Sequence, residues 1–299
     1  MSFAASCPRS SPSSSARNSE SGWALVSVLW ALTMLALMAA AAQALTVTAY
    51  NSERHAMTDA RAGADLDAAV VRAVLGICDL RPEQRWRTDG TPRIIAYDGL
   101  RIRVAAQDEL GRIDLNATSA STIRALLLGH GLSPDDASAL ADRIADWRSP
   151  AGPVSLHGAT DADYRAAGLS YVPRHGPFQT VDEARLVLGM TPVLFARLRP
   201  ALTVYTKRPS FDPSLAPREA LVALYPDDPG KIDEILRARS GDIGLPGNAS
   251  GAAPPLSVPF GRAYEISAEL AIGRRTFRRS AVVELSGGDK RAYFVLAWN

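Results

Sequence analysis

The feature that most constrains this chain is an uncharged apolar run near its N-terminus. The run extends from Trp23 to Leu45, directly after Gly22, and reads WALVSVLWALTMLALMAAAAQAL. About 20 apolar residues in a helix cross the hydrocarbon core of a bilayer. The polar members Ser27, Thr33 and Gln43 are compatible with a helix, because a hydroxyl can donate to a carbonyl of its own helix. The run therefore predicts a helix that spans or inserts into a membrane.

Two other interpretations of this run are weaker. Ala42-Gln43-Ala44 has the small-x-small form of a signal-peptidase site, but the apolar core of a secretory signal has only about 7 to 15 residues, and this run is longer. A buried helix of a soluble protein needs apolar partners on every face, and no later segment of the chain is that apolar. We therefore expect a single transmembrane helix at residues 23–45.

Residues 1–22 have the composition of a short polar leader. They are rich in serine and contain Arg9 and Arg17 against Glu20. Such a segment cannot bury enough apolar surface to fold, and its positive charges favour the cytoplasmic side of a membrane. Gly22 is the only glycine of the leader and stands at its junction with the apolar run.

Composition limits the classes of function. The chain has 299 residues and a formal net charge of +2, which allows one or two domains and does not indicate nucleic-acid binding. Its four histidines lack metal-ligand spacing, and no P-loop, dinucleotide fingerprint or nucleophile elbow is present. Cys78 is the only cysteine after the leader, so no internal disulfide is expected once the leader is removed. No pattern supports an enzyme.

The rest of the chain predicts a helix laid on an antiparallel sheet. In residues 46–80, apolar side chains recur at helical spacing, which indicates that the membrane helix continues as an amphipathic one; they are Leu66, Val70, Ala73, Val74 and Ile77. Five runs have the composition of strands and are separated by turn residues such as Asp98-Gly99: Arg93–Tyr97, Leu100–Ala106, Ala263–Ile272, Thr276–Leu285 and Arg291–Trp298. The sheet thus occupies residues 81–110 and 256–299.

Residues 111–255 interrupt this sheet and predict an all-helical insert. Helix-start signals recur along it: Thr118 or Ser119, Ser133, the pair Thr180 and Glu183 as a capping box, Thr191, Pro217 and Asp228. Its last stretch, from Gly241 to Pro255, is rich in glycine and proline and reads as a linker. The predicted fold class is α+β: a long N-terminal transmembrane and amphipathic helix on a small antiparallel sheet, interrupted by a large helical insert.

Repeated pairs of short helices in the insert are similar to helix-hairpin-helix units, which often contact nucleic-acid backbones through glycine-rich turns. The turn Leu188-Gly189-Met190-Thr191 has a single glycine and acidic residues nearby. Packing within the insert is therefore the favoured interpretation, and DNA binding is the alternative.

One acidic group in the insert is a candidate metal site. Asp142 and Asp146 share a predicted helix face, and Asp161 and Asp163 follow in the next loop. Calcium takes six to eight oxygen ligands, usually including several loop carboxylates. The residues alone leave a solvated loop and a calcium site both open.

The order of these features resembles that of the type II secretion system minor pseudopilin K family. The resemblance rests on the leader and Gly22, the apolar helix, and motifs spread over nearly the whole chain: Asp108-Glu-Leu-Gly-Arg-Ile-Asp-Leu-Asn116, Ala145-Asp-Trp-Arg148, Gly176-Pro-Phe-Gln-Thr-Val-Asp-Glu183, Gly189-Met-Thr-Pro192 and Leu202-Thr-Val-Tyr205. It implies a pseudopilin sheet with a helical insert, in a protein of the inner membrane whose C-terminal domain is periplasmic.

The resemblance also implies roles for particular residues. Gly22 matches the glycine after which the prepilin peptidase cuts, and Trp23 becomes the methylated first mature residue. Ser27 takes the fifth mature position, where most pilin-like subunits have glutamate and this family does not. Calcium is the one cofactor implied, and we expect a weak or single site through Asp146, Asp161 and Asp163.

The partners implied are minor pseudopilins I and J at the pseudopilus tip, the major pseudopilin, the inner-membrane secretion platform and the prepilin peptidase. No nucleic acid is expected among them. The sequence therefore predicts a non-enzymatic minor pseudopilin that initiates and caps the pseudopilus for protein export. The alternative from another class is a membrane-tethered helix-hairpin-helix protein that binds DNA.

Overall fold

The computed structural model describes residues 18–81, 83–97, 99–150, 154–241, 260–287 and 291–299. Most of the predicted leader, and the predicted linker after Gly241, lie outside these residues. The chain divides into two compact units, Met1–Arg61 and Ala62–Asn299. Helix α1, Asn18–Ile77, contributes its first part to one unit and its last part to the other.

Numbered in chain order, the strands are β1 (Arg93–Tyr97), β2 (Leu100–Asp108), β3 (Ile113–Asp114), β4 (Leu202–Thr203), β5 (Ala263–Ile272), β6 (Arg275–Leu285) and β7 (Tyr293–Trp298). The further helices are α2 (Ala120–Gly129), α3 (Pro134–Arg148), α4 (Asp161–Ala166), α5 (Pro192–Leu198), α6 (Arg218–Leu221) and α7 (Pro229–Gly241). Short 3-10 turns cover Glu109–Gly111, Val181–Leu186 and Arg199–Ala201.

The main sheet of the second unit has five strands in the order β1-β2-β5-β6-β7. Every neighbouring pair is antiparallel. All five predicted strands are present, and the segment between β2 and β5 forms the insert. The predicted antiparallel sheet interrupted by a long insertion is confirmed.

The last part of α1 packs on one face of this sheet, because its apolar side chains recur once per helical turn. The five residues of the predicted stripe are each at most 2% exposed: Leu66, Val70, Ala73, Val74 and Ile77. They share one hydrophobic core with side chains of β2, β5 and β6 such as Ile102, Ile266 and Val283. This core lies wholly within the second unit.

The insert has a separate core under its short helices. Trp147 lies at its centre, stacked on Phe178 with ring centroids 6.0 Å apart and tilted against Tyr164 at the same distance. Three predicted caps are confirmed, since Ser119, Ser133 and Thr191 each accept a hydrogen bond from the amide three residues later. These caps satisfy amides that would otherwise lack partners at the helix starts.

One predicted cap is wrong. Thr180 makes no side-chain capping bond, and a 3-10 turn rather than an α-helix follows it. Glu183 accepts from the backbone N–H of Gln179 at 2.8 Å and from Trp147 Nε1 at 3.2 Å. The side chain thus bonds to the buried indole instead of closing a capping box.

Two features of the insert differ from the prediction. Asp161 and Asp163, which the sequence predicts in a loop, lie in the first turn of helix α4, and Thr160 forms a capping box with Asp163. Strands β3 and β4 make a two-residue parallel pair, in which Ile113 lies opposite Leu202 and Asp114 opposite Thr203. Two residues are too few to show the alternation from which strands are predicted.

Candidate functional site

The first unit contains a helix segment long and apolar enough to cross a membrane. It covers Trp23–Gln43, has a mean hydropathy of 2.2, and is unburied throughout. The hydroxyl of Ser27 donates to the Ala24 carbonyl at 2.9 Å, and that of Thr33 donates to the Trp30 carbonyl at 2.8 Å. The predicted back-bonding is confirmed, so neither hydroxyl is an unsatisfied donor in the apolar segment.

The predicted cleavage position lies within the first turns of α1. Gly22 falls inside the helix that begins at Asn18, and the side chain of the following Trp23 is 81% exposed. The signal-peptidase-like tripeptide Ala42-Gln43-Ala44 also lies inside this uninterrupted helix. Cleavage after Gly22, and the role of Ser27 at the fifth mature position, stay predictions.

Asp146, the first of the three predicted calcium ligands, holds the loop after α3. Both of its carboxylate oxygens accept from the Ser155 backbone N–H at 3.2 Å, and the Ser155 hydroxyl donates to Oδ1 at 2.7 Å. Gly158 passes so close that a Cβ added there would lie 1.7 Å from Asp146 Oδ2. The carboxylate is therefore enclosed by its own loop.

Asp161 and Asp163 are occupied by other partners. Asp161 lies 2.9 Å from His175 Nε2 and 3.6 Å from Arg165 Nη2. Asp163 accepts from the Thr160 amide and hydroxyl, each at 2.7 Å, and these bonds lower the pKa of its carboxyl. Each of these carboxylates thus stabilises a local turn or ion pair.

The described residues do not form the predicted three-carboxylate calcium site. Among them, no three of His, Cys, Asp and Glu are grouped so that they could hold a metal ion. A calcium ion needs several converging oxygens, whereas Asp146, Asp161 and Asp163 bond to separate groups. Calcium binding by the chain itself stays a prediction.

The structure gives a role to the motif Asp108–Asn116, which connects β2 to the insert. Asp108 caps the 3-10 turn by accepting from the Leu110 N–H at 2.9 Å, and its other oxygen accepts from Arg262 at 3.2 Å. Within the turn, Gly111 packs so closely that an added Cβ would lie 2.4 Å from the Leu215 carbonyl oxygen. The motif is therefore the joint at which the insert meets the sheet.

A buried ion cluster lies at this joint. Arg112 donates to Glu109 Oε1 at 2.9 Å and to Glu265 Oε2, on β5, at 2.5 Å. Burial raises the pKa of Glu109 from 4.5 to about 7, although Arg112 opposes that rise. Burial also disfavours ionised Glu265, but Arg112 and, to a smaller extent, Arg199 together outweigh it and lower the Glu265 pKa. The two carboxyls therefore differ in their tendency to hold a proton.

The end of the same motif fastens the insert internally. Asp114 Oδ2 accepts from the Thr206 amide at 2.9 Å and from the Lys207 amide at 2.7 Å. Asn116 makes two bonds to the backbone of Phe178, donating to its carbonyl at 2.9 Å and accepting from its amide at 2.7 Å. Both side chains thus bond to the backbone of residues far along the chain and hold those segments in place.

The motifs that carry the family resemblance converge in space. Arg148 donates to the backbone carbonyls of Leu115 and Thr118, at the end of the first motif. Trp147 stacks on Phe178 of the third motif and donates to Glu183. Sequence reasoning singled out these motifs without placing them together, because residues this far apart in sequence show no shared local pattern.

The edge strand β7 exposes apolar side chains. Phe294, Val295, Leu296 and Trp298 are each between 40% and 49% exposed. A strand at a sheet edge has unpaired backbone groups on its outer side, and an apolar edge is prone to pairing with another chain. The strand is therefore a candidate contact surface.

Comparisons with known proteins agree with this architecture. The family model described as type II secretion system (T2SS), protein K, matches residues 104–207. "Type II secretion system protein K" of Pseudomonas aeruginosa is 28% identical over 166 residues, 52% of this chain and 49% of that protein. The Klebsiella pneumoniae protein of the same name is 29% identical over 176 residues, 52% of this chain and 53% of that protein. The chain therefore spans about half the length of the curated relatives that it matches.

The fold is similar to a chain in the crystal structure of the GspK-GspI-GspJ complex from the enterotoxigenic Escherichia coli type 2 secretion system. The two share a TM-score of 0.58 at 16% sequence identity, covering 83% of this chain and 98% of the other. The likeness extends over an α+β fold with an apolar N-terminal helix, an antiparallel sheet and many short helices. Residues 104–207 of the chain are thus similar to the family described as type II secretion system (T2SS), protein K.

Proposed function

We propose that the chain is a non-enzymatic minor pseudopilin that lies at the pseudopilus tip and initiates and caps pseudopilus assembly. The observation that carries this proposal is the sequence of elements: a membrane-length segment in α1, a sheet packed on the end of α1, and a protein K domain inserted into that sheet. In this assignment the apolar segment is a single-pass inner-membrane anchor and the C-terminal domain is periplasmic.

The proposed partners are minor pseudopilins I and J, the major pseudopilin, the secretion platform and the prepilin peptidase. The relative from the GspK-GspI-GspJ complex supports the first two by similarity of fold. Within the chain, the exposed apolar side chains of β7 offer a surface that a neighbouring subunit would cover. The DNA-binding alternative has no support from the comparisons.

A co-purification experiment tests this proposal. The tagged full chain, extracted in mild detergent from its own host, is expected to carry pseudopilins I and J. A variant with Phe294→Ser and Trp298→Ser on β7 should retain less of them, whereas Leu156→Ser, on an exposed loop of the insert, should not. Retention of duplex DNA in place of the two pseudopilins would contradict the proposal.

A further inference from the structure

The ion cluster at the joint between sheet and insert has one arginine, Arg112, for two carboxyls, Glu109 and Glu265. Its net charge therefore depends on whether Glu109 holds a proton. Glu109 is 1% exposed, and its Oε2 has no hydrogen-bond partner among the described residues. The charged groups that act on Glu109 are Arg112, which it shares with Glu265, and the carboxyls of Glu265 and Asp108. Arg199 Nη1 lies 3.9 Å from Glu265 Oε1, and the Arg199 side chain is 42% exposed. One buried arginine therefore serves two buried carboxyls.

The cluster lies where the insert is fastened to the sheet. Between Glu109 and Arg112, the Leu110 carbonyl accepts from the Asp212 amide at 2.7 Å. Beside them, Gln107 Nε2 donates to the Leu215 carbonyl at 2.8 Å. A change in charge at Glu109 thus acts on the same turn that holds the 212–215 loop of the insert.

A cavity lies beside the buried cluster. It has a volume of about 130 Å³, and its lining includes Glu109, Arg112 and Glu265 together with Asp182 and Arg199. That volume is large enough for a few water molecules, and charged side chains are among the lining residues. The cavity therefore connects the buried carboxyl to groups that are partly exposed.

We propose that protonation of Glu109 controls how tightly the helical insert is held against the sheet. With Glu109 protonated, Arg112 neutralises Glu265, and no excess negative charge is buried at the joint. With Glu109 ionised, a second carboxylate lies in the low-dielectric site, and part of its charge has no compensation. Loss of that proton loosens the turn that grips the 212–215 loop.

The surroundings of Glu109 support titration near neutral pH. Its pKa is raised to about 7, mainly by burial. Because this folded-state pKa exceeds the ordinary value of 4.5, the contribution of Glu109 to the free energy of unfolding is full below pH 4.5. It falls as the pH rises and is lost once the pH has passed through about 7. The polar and charged groups around the cluster, from every element packed on it, are Asp108, Arg112, Thr180, Asp182, Arg199, Thr203, Tyr205, Glu219, Arg262, Glu265 and Asn299.

Hydrogen exchange of the full chain in detergent, measured by mass spectrometry, tests this proposal. The exchange rates are measured between about pH 5.5 and 8.5 and corrected for the intrinsic rate at each pH. We expect the amide of Asp212 to lose protection about tenfold or more as the pH rises from 5.5, and to lose no more above about pH 7, the folded-state pKa of Glu109. The amides of β5, paired on both sides, should keep their protection. Glu109→Gln should keep Asp212 protected at every pH, and Glu234→Gln, an exposed residue of α7, should behave as the wild type.

Two outcomes overturn the proposal: protection at Asp212 that is independent of pH in the wild type, or a pH dependence that persists in Glu109→Gln. If Glu109→Gln does not fold, the wild type still decides through carbon-13 NMR of labelled glutamate carboxyls. One carboxyl resonance must then titrate near pH 7. Titration of every glutamate near its ordinary pKa would exclude a proton-controlled joint.

Discussion

Ser27 carries the most specific prediction at the scale of single residues. Its uncharged hydroxyl donates to the Ala24 carbonyl, so the side chain adds neither a charge nor an unsatisfied donor to the apolar segment. An isolated charge among packed apolar helices is costly unless it is paired. A subunit at the tip has no subunit above it to provide a partner amine, and it therefore needs no glutamate at this position.

We expect Ser27→Glu to be processed at Gly22 but to compete poorly with the wild type as a tip subunit, because it can then enter below other subunits. Secretion of a reporter enzyme and cross-linking to pseudopilins measure the effect. Ser27→Ala, which removes only the hydroxyl, is the control and should secrete normally. Normal secretion by Ser27→Glu, together with wild-type protein along the filament shaft, would show that the chain does not cap the pseudopilus.

Asp163 carries a prediction about stability. Its carboxylate closes the capping box of α4 by accepting from Thr160. Asp163→Ala should therefore lower the free energy of unfolding, by the same amount in calcium and in chelator. Asp161→Ala removes an acid of the same turn that makes no capping bond, and it should cost less. Urea unfolding of both variants provides the measurement, and a loss for Asp163→Ala seen only in calcium would instead identify a metal ligand.

Thermal unfolding of the wild type at increasing calcium concentrations tests the calcium prediction. A ligand that binds only the folded state raises the unfolding temperature as its concentration rises. A weak or single site would give a small calcium-dependent rise that Asp146→Asn removes. An unfolding temperature that does not change with calcium would remove the site from the account.

At the scale of elements, the packing of α1 on the sheet gives a clear test. Ala73 is fully buried in the helix–sheet core, whereas Ala64 is exposed on the same helix. Ala73→Glu buries an unpaired charge and should cost about 3 kcal/mol or more, while Ala64→Glu should change stability by less than about 0.5 kcal/mol. Chemical unfolding of residues 46–299, which retain both hydrophobic cores, measures the difference. Equal effects of the two substitutions would contradict this packing.

The elements that sequence could predict are those with a local signal. The five main strands alternate in polarity or run apolar between turns, and helix starts at Ser119, Ser133 and Thr191 have a capping residue beside an apolar run. The pair β3–β4 has no such signal, because two residues show no period. Thr180 and Glu183 have the spacing of a capping box, but the buried Trp147 indole offers Glu183 another partner.

The joint could not be predicted for a related reason. Arg112 and Glu265 are separated by 153 residues, and their ion pair is visible only once β2 and β5 are neighbours. The motif Asp108–Asn116 could be singled out from sequence, but its residues gave no local indication of their partners. The predicted calcium ligands show the opposite error. Asp146, Asp161 and Asp163 are close in sequence, yet their carboxylates bond to separate groups: Ser155, His175 and Thr160.

At the scale of the whole molecule, the chain combines a membrane-length apolar segment with a folded unit that has two hydrophobic cores. The sheet core includes the end of α1, and the insert core includes apolar residues of the motifs, such as Leu115, Trp147 and Phe178. A protein with this combination can be held at a membrane by one helix while its folded unit contacts other subunits. The central claim is that the apolar segment is a processed pseudopilin anchor.

The measurement that tests this claim most directly is the mass and N-terminal residue of the mature protein from its own host. The account predicts that residues 1–22 are removed and that the chain begins at methylated Trp23, with Gly22→Val accumulating as the uncut precursor. A mature chain that begins near Leu45 would show an ordinary secretory signal and would contradict the account.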